Sequence, residues 1–160
     1  MQFTQSVSYP GTVDEVVAMY LTPAYLERRF GQFVVEGSQT VSVEGERVSF
    51  AGTVRPALIP AAAARFVKSD LRISFTEEWA TNEAGATSRT SVTVDGAPVS
   101  VEATSTLAPA EAGSVRDVTG NVSVRVPLLG GRIEKEAVAH LGRVVEREQA
   151  LAAQWLEEHR

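Results

Sequence analysis

The C-terminal segment 130–157 restricts the fold of this 160-residue chain more than any other part. Its apolar residues recur at intervals of three and four, which predicts a long helix with one apolar stripe and a polar opposite side. At about 1.5 Å per residue the helix is roughly 40 Å long, so it needs an apolar surface of equal length to cover it. The stripe consists of Ile133, Ala137, Leu141, Val144, Val145, Leu151, Ala152, Trp155 and Leu156.

Alternation of apolar and polar residues before this helix predicts a run of β-strands. The short connections between them favour an antiparallel order, and Asp95-Gly96 is typical of a hairpin turn. One sheet that buries a single face has to bend around the one long helix. We therefore expect an α+β fold in which a curved antiparallel sheet of about six to seven strands wraps the C-terminal helix. The predicted strands are 3–9, 32–36, 40–44, 47–55, 71–79, 87–94, 99–107 and 115–126, with two short helices at 13–21 and 24–30.

Composition places the chain among ordinary globular proteins. Apolar residues make up 44% and charged residues 22%, which predicts one domain over residues 1–160 with a substantial core. Cysteine is absent, and neither a secretory signal nor an apolar run of about 18 residues is visible, so we expect a cytoplasmic protein without stable membrane insertion. A net charge of −5 without a basic stripe argues against nucleic acid as a partner.

The connection 56–67 is unusually apolar for its position. Pro56 and Pro60 bracket three apolar residues, and residues 61–67 are predicted to form a brief helix. One interpretation is a flap that lies over an apolar ligand. A packed loop that crosses the end of the sheet is an equally good interpretation.

Three stretches, taken in order, resemble the START-like or helix-grip superfamily, which includes domains of the polyketide cyclase and lipid-transfer types. Within it the chain is similar to a bacterial branch catalogued as a domain of unknown function. The resemblance implies the helix-grip fold and an apolar pocket for a lipid, polyketide or other hydrophobic small molecule, and it implies no defined reaction. The matching stretches are 1–4 through 14–16 and 22–25, then 59–67 through 76–79, and finally 126–134.

Residues for metal or nucleophilic chemistry are sparse. The two histidines, His140 and His159, lie nearly a helix length apart, and no cluster has the spacing of metal ligands. There is no Gly-x-Ser-x-Gly motif, and Gly130-Gly131 lacks the lysine or further glycine of a nucleotide-binding loop. We expect no metal, no cofactor and no catalytic residue that can be identified from a motif.

Two carboxylates fall on apolar faces. Glu148 lies near the centre of the helical stripe, and Glu77 shares strand parity with Ile73, Phe75 and Trp79. A buried carboxylate needs a cation or a hydrogen-bond donor, or its pKa rises. These residues are either polar anchors or general acids in an apolar pocket, or members of ion pairs with inward arginines.

The leading hypothesis is a noncatalytic binder or carrier of a hydrophobic small molecule, because a bent sheet and a straight helix seldom pack without a gap. Glu77 and Glu148 are expected to orient the polar end of the ligand. The alternatives are a cyclase or dehydratase that uses one of these carboxylates, and a packed structural module without a ligand. The predicted pocket residues are Phe50, Ile73, Phe75, Val92, Val122, Val124, Ala137 and Leu141, with Leu58 and Phe66 at the mouth.

Overall fold

The structure is a computed structural model that describes residues 1–59, 61–64, 67 and 70–160. Seven strands form one antiparallel sheet, and the longest helix is C-terminal. The strands are β1 (Gln2–Tyr9), β2 (Thr40–Glu44), β3 (Arg47–Thr53), β4 (Arg72–Asn82), β5 (Gly85–Asp95), β6 (Val99–Ala110) and β7 (Gly113–Val124). The helices are α1 (Val13–Tyr20), α2 (Pro23–Phe30), α3 (Ala61–Ala64) and α4 (Gly130–Glu158).

The strands lie in the order β1-β7-β6-β5-β4-β3-β2, so each strand from β2 to β7 pairs with its neighbour in sequence. The first strand pairs with the last, which places Val7 opposite Arg116. Helix α4 packs against β1 and β7. The α+β helix-grip arrangement is confirmed, with seven strands, two short helices after β1 and a long C-terminal helix.

Local sequence sets the first two helices. Thr12 and Glu15 form a reciprocal cap at the start of α1, in which the Thr12 N–H donates to Glu15 Oε1 at 3.0 Å and the Glu15 N–H donates to Thr12 Oγ1 at 3.2 Å. Pro23 occupies the first turn of α2, where its missing N–H has no helical partner to lose.

The predicted strand at 32–36 is wrong. Residues Gly31–Phe33 form a single 3₁₀ turn, and Val34 makes only an isolated bridge to Val54. A turn in which the Ser38 N–H donates to the Val35 carbonyl at 3.0 Å follows at once. The turn ends the pairing after one bridge, so the apolar alternation never extends into a ladder.

The core consists of two apolar clusters. The larger joins α1, the central strands and the end of α4, with Trp79 and Trp155 as its largest rings. The smaller lies between α2 and β3–β4 and centres on Phe50 and Phe75.

Helix α4 is unevenly buried along its length. Its buried residues are Gly130 at the start and Ala152, Trp155 and Leu156 near the end. Between them the inward residues are half-buried, and Val144 is 53% exposed, so its assignment to the apolar stripe is wrong. The first half of α4 therefore rests only loosely on the sheet.

Candidate functional site

An apolar pocket of about 240 Å³ lies at one end of the sheet, beside the connection between β3 and β4. The inner-face residues Val94, Val99 and Val124 form its floor, since they pair directly across β5, β6 and β7. The first turn of α4 adds Ile133. The wall consists of Val54, Leu58, Ile59, Ala63, Val67, Leu71, Val94, Gly96, Ala97, Pro98, Val99, Val124, Val126 and Ile133.

Backbone hydrogen bonds fix the pocket wall. The Val54 N–H donates to the Leu71 carbonyl at 2.8 Å, which closes the two ends of the β3–β4 connection. The Arg125 N–H donates to the Pro98 carbonyl at 2.9 Å and ties the end of β7 to the β5–β6 turn. Glu134 in α4 accepts from the Val124 N–H at 2.9 Å, so the helix start is held against the same edge.

Two of the residues predicted to bind a ligand line this pocket, Leu58 and Val124. Leu58 is 49% exposed, which places it at the opening. Val122 is buried two residues before Val124 on the same face of β7. The predicted mouth residue Phe66 lies outside the described residues.

The other predicted apolar residues lie deeper in the interior. Phe50 and Phe75 are buried in the smaller cluster, and Ile73 and Val92 pack against it. Ala137 and Leu141 follow Ile133 on α4 by one and two turns, and both are half-buried. These six residues are not part of the pocket wall.

A half-buried apolar strip continues from the pocket along the inner face of the sheet. The next row of paired residues toward the molecule's centre contains Val92 and Val101, and the row after that contains Ala103. All three are only half-buried although they face the helix side of the sheet. These inner-face side chains near the pocket are therefore only partly covered.

Glu77 lies beyond this strip in a buried polar network. Its carboxylate accepts hydrogen bonds from Trp79 Nε1 at 2.9 Å, Thr90 Oγ1 at 2.7 Å and Arg116 Nη2 at 2.7 Å. Arg116 also donates to Ser88 and Ser105, at 3.0 and 2.9 Å. The Glu77 and Arg116 side chains are 1% and 6% exposed, so this ion pair is almost fully enclosed.

Electrostatics hold Glu77 in its charged form. Burial alone would raise the pKa of its carboxyl, but the Arg116 and Arg29 guanidiniums and the bond donated by Thr90 outweigh burial. The pKa of Glu77 therefore lies below its usual range. A carboxyl in this state is a poor proton donor at neutral pH.

Glu148 belongs to a second ion pair, which joins α4 to α2. Arg29 Nε lies 2.9 Å from Glu148 Oε1, and the Tyr20 hydroxyl donates to the same oxygen at 2.7 Å. The Tyr20 hydroxyl also lies 2.6 Å from that of Tyr9. Burial first, and the Glu148 charge next, raise the pKa of Tyr20 well above its usual value, so it remains a neutral donor.

The two ion pairs meet at one aromatic ring. The guanidinium carbons of Arg29 and Arg116 lie 4.9 and 5.1 Å from the Tyr20 ring centroid, and Trp79 stacks on the same ring at 5.5 Å. Neither Glu77 nor Glu148 forms part of the apolar pocket wall. Both carboxylates have an inward arginine partner, which is the ion-pair alternative to a ligand anchor.

The two arginines were not predicted from the sequence. Arg116 shares strand parity with Val118, Val122 and Val124, and this alternation was the available signal that it points inward. Arg29 follows the buried Tyr25 by four residues, which places both on one face of α2. An arginine on an otherwise apolar face signals a buried acidic partner.

A larger groove of about 520 Å³ lies on the opposite, outer face of the sheet. Its outward side chains are mostly hydroxyls and charges of both signs, as expected for the solvated face of an antiparallel sheet. Most of these outward side chains are exposed to solvent, so the groove is part of the ordinary outer surface of the sheet. The outward residues include Glu78, Thr87, Arg89, Thr104, Thr106, Asp117 and Thr119.

Within residues 1–59, 61–64, 67 and 70–160, no three His, Cys, Asp or Glu side chains come together as a metal site. No helix of that part combines the length and the apolar character required to cross a bilayer.

The sheet order, the two short helices and α4 define a START-like, helix-grip fold. The chain belongs to the family described as "Protein of unknown function (DUF2505)", which it matches over residues 4–156. Uncharacterised proteins of Mycobacterium tuberculosis and Mycobacterium bovis are 25% identical to it over 96% of this chain and 95% of theirs.

The solved structures that share the fold include the following three. Norcoclaurine synthase from Thalictrum flavum, in complex with dopamine and hydroxybenzaldehyde, has a TM-score of 0.61 and 13% identity over 100% of this chain and 88% of that one. A STAR-related lipid transfer protein from Xanthomonas axonopodis has a TM-score of 0.57 and 15% identity, over 91% of this chain and 84% of that one. A conserved protein from Geobacillus kaustophilus has a TM-score of 0.57 and 20% identity, over 94% of this chain and 95% of that one. These likenesses concern the fold alone.

Proposed function

We propose that this chain binds an apolar small molecule in the pocket between the β3–β4 connection, the ends of β5–β7 and the start of α4. The observation that carries the proposal is the pocket wall, in which every described side chain is apolar. A concave apolar surface that stays accessible to solvent in a folded protein is typical of a ligand site.

The loose packing of α4 supports the same proposal. The inward side chains between Ile133 and Val145 stay half-buried, and Ile133 belongs to the pocket wall. A ligand that covered this surface would gain roughly 25 cal/mol for each Å² of apolar area removed from water. Solved relatives by fold include a lipid transfer protein and an enzyme that holds small aromatic molecules, and both are compatible with an internal ligand.

The cyclase or dehydratase alternative has less support. A general acid requires a raised pKa and access to the ligand, whereas the pKa of Glu77 is lowered and its carboxylate is enclosed by three donors. Glu148 is bonded to both Arg29 and Tyr20. We therefore propose a binder or carrier.

A fluorescent apolar probe tests the proposal. N-phenyl-1-naphthylamine brightens when it leaves water, and we expect saturable binding to the wild-type protein that decanol displaces. Val99→Phe puts a ring into the pocket floor and should weaken probe binding roughly tenfold or more, because it occupies the volume that the probe needs.

Thr104→Phe is the matched control, since Thr104 lies on the same strand but on the exposed outer face. It should bind the probe like the wild type, and circular dichroism should show both variants folded. Equal probe binding by Val99→Phe and wild type, or no saturable binding at all, would contradict the proposal.

A further inference from the structure

The chemistry of the pocket wall limits which part of a ligand can enter it. Its described residues are valine, leucine, isoleucine, alanine, proline and glycine, so no described side chain in the wall offers a hydrogen bond. A hydroxyl, carbonyl or charge placed there would lose its bonds to water without replacement. The described part of the wall therefore favours hydrocarbon in the part of the ligand that enters the pocket.

The size and opening of the pocket add a second limit. Its volume of about 240 Å³ lies below the roughly 300–1,000 Å³ that encloses a drug-sized molecule. Leu58 belongs to the wall and is 49% exposed, so the pocket has an open side. A longer molecule can place one end inside and leave the other end in water.

Polar groups are available next to the wall residues, outside the pocket. Arg55, Arg125 and Arg132 are exposed and follow or precede the wall residues Val54, Val124 and Ile133 in sequence. The acidic neighbours Asp70 and Asp95 are exposed as well. A polar head group that stays at the opening would remain hydrated.

We infer that the ligand is a hydrocarbon chain with a polar group at one end only, bound tail first, with its terminal methyl in the apolar pocket. This inference rests on the proposed function and adds the chemical class and the orientation of the ligand. It excludes a molecule that is polar at both ends.

Three alcohols test the inference on the wild-type protein. Decanol, nonanol and 1,10-decanediol are titrated as competitors of bound N-phenyl-1-naphthylamine. Nonanol should bind about fourfold more weakly than decanol, because it buries one methylene fewer. The diol should bind roughly tenfold more weakly or worse, because its second hydroxyl is forced into a wall without a partner.

The outcomes separate the two proposals. Failure of every alcohol to displace the probe would overturn the proposed function. Displacement by the diol within about fourfold of decanol would overturn the tail-first orientation alone, since a chain lying along the surface keeps both hydroxyls in water.

Nuclear magnetic resonance provides an independent readout of orientation. Isotope-filtered spectra should show the terminal methyl of decanol close to the methyl groups of Val99 and Val124. Close contacts of those valines with the hydroxyl-bearing carbon instead would overturn the inference.

Discussion

The Glu77–Arg116 pair is stabilising only as a complete unit. Arg116 donates to three side chains, and Glu77 accepts from three, so much of the hydrogen bonding that the two charges lost from water is replaced. Removal of one partner would leave the other charged and buried, whereas removal of both would leave a neutral interior.

We predict that Glu77→Gln lowers the free energy of unfolding by about 3–5 kcal/mol, because it leaves the Arg116 charge unpaired. The double variant Glu77→Gln with Arg116→Met should lose less than Glu77→Gln alone. Urea unfolding at neutral pH measures both. A double variant less stable than the single would mean that the unpaired charge is not the source of the loss.

Acid should weaken the same pair. The pKa of Glu77 is lower in the folded protein than in the unfolded chain, so folding is favoured by its ionisation. This contribution is complete above the unfolded value of about 4.3 and is lost as the pH falls through the lower folded value. The stability difference between wild type and Glu77→Gln should therefore narrow below about pH 4. A difference that stays constant down to complete acid unfolding would contradict the lowered pKa.

The sequence predicted which side chains point into the interior, but it did not predict which of them contact each other. Strand alternation placed Glu77 inward, and the structure buries it. Its partner Arg116 is 39 residues away, and the link depends on the pairing of four strands, which alternation within one strand cannot reveal. The choice between ligand anchor and ion pair therefore stayed open.

At the scale of elements, the turn from β7 into α4 depends on Gly130. A Cβ atom at this position would lie 2.2 Å from the Val124 carbonyl oxygen, whereas one at Gly131 would meet nothing within 4 Å. Only the first glycine of the pair is thus required for the close approach of the helix to the end of β7.

Gly130→Ala should therefore destabilise the protein by several kcal/mol or displace the start of α4, because the contact is with rigid backbone. Gly131→Ala is the matched control, and its greater helix propensity should raise stability by up to about 1 kcal/mol. The midpoints of thermal unfolding of the two variants measure this difference in stability. Similar midpoints for both variants would show that close approach to the Val124 carbonyl does not restrict residue 130 to glycine.

The elements themselves were largely predictable, since seven of the eight proposed strands correspond to strands of the sheet. Alternation succeeds where one long ladder buries one face. It failed at 32–36, where the pattern is present but the turn between Val35 and Ser38 stops the pairing. The number of residues that pair depends on the neighbouring strand, and the alternation within one segment carries no information about that neighbour.

At the scale of the whole molecule, the interior is divided between polar and apolar parts. The end of α4 packs tightly with α1, α2 and Trp79, next to the two ion pairs, while its first half is half-buried and contributes Ile133 to the pocket wall. The sequence predicted one uniform apolar stripe along the helix. Which half packs tightly depends on α1 and α2, whose placement follows from tertiary structure.

This division predicts a gradient of local stability along α4. Amide hydrogens between residues 133 and 145 should exchange faster with deuterium than those between 150 and 157, because opening the first half exposes little buried apolar surface. Saturating decanol should slow exchange in the first half, since a ligand that binds only the closed form stabilises it by about 2.7 kcal/mol at a hundredfold excess over Kd. The second half serves as the internal control, because its contacts with Tyr25 and Arg28 lie away from the pocket wall. Uniform exchange along α4, or equal slowing of both halves by decanol, would contradict a ligand site beneath its first turns.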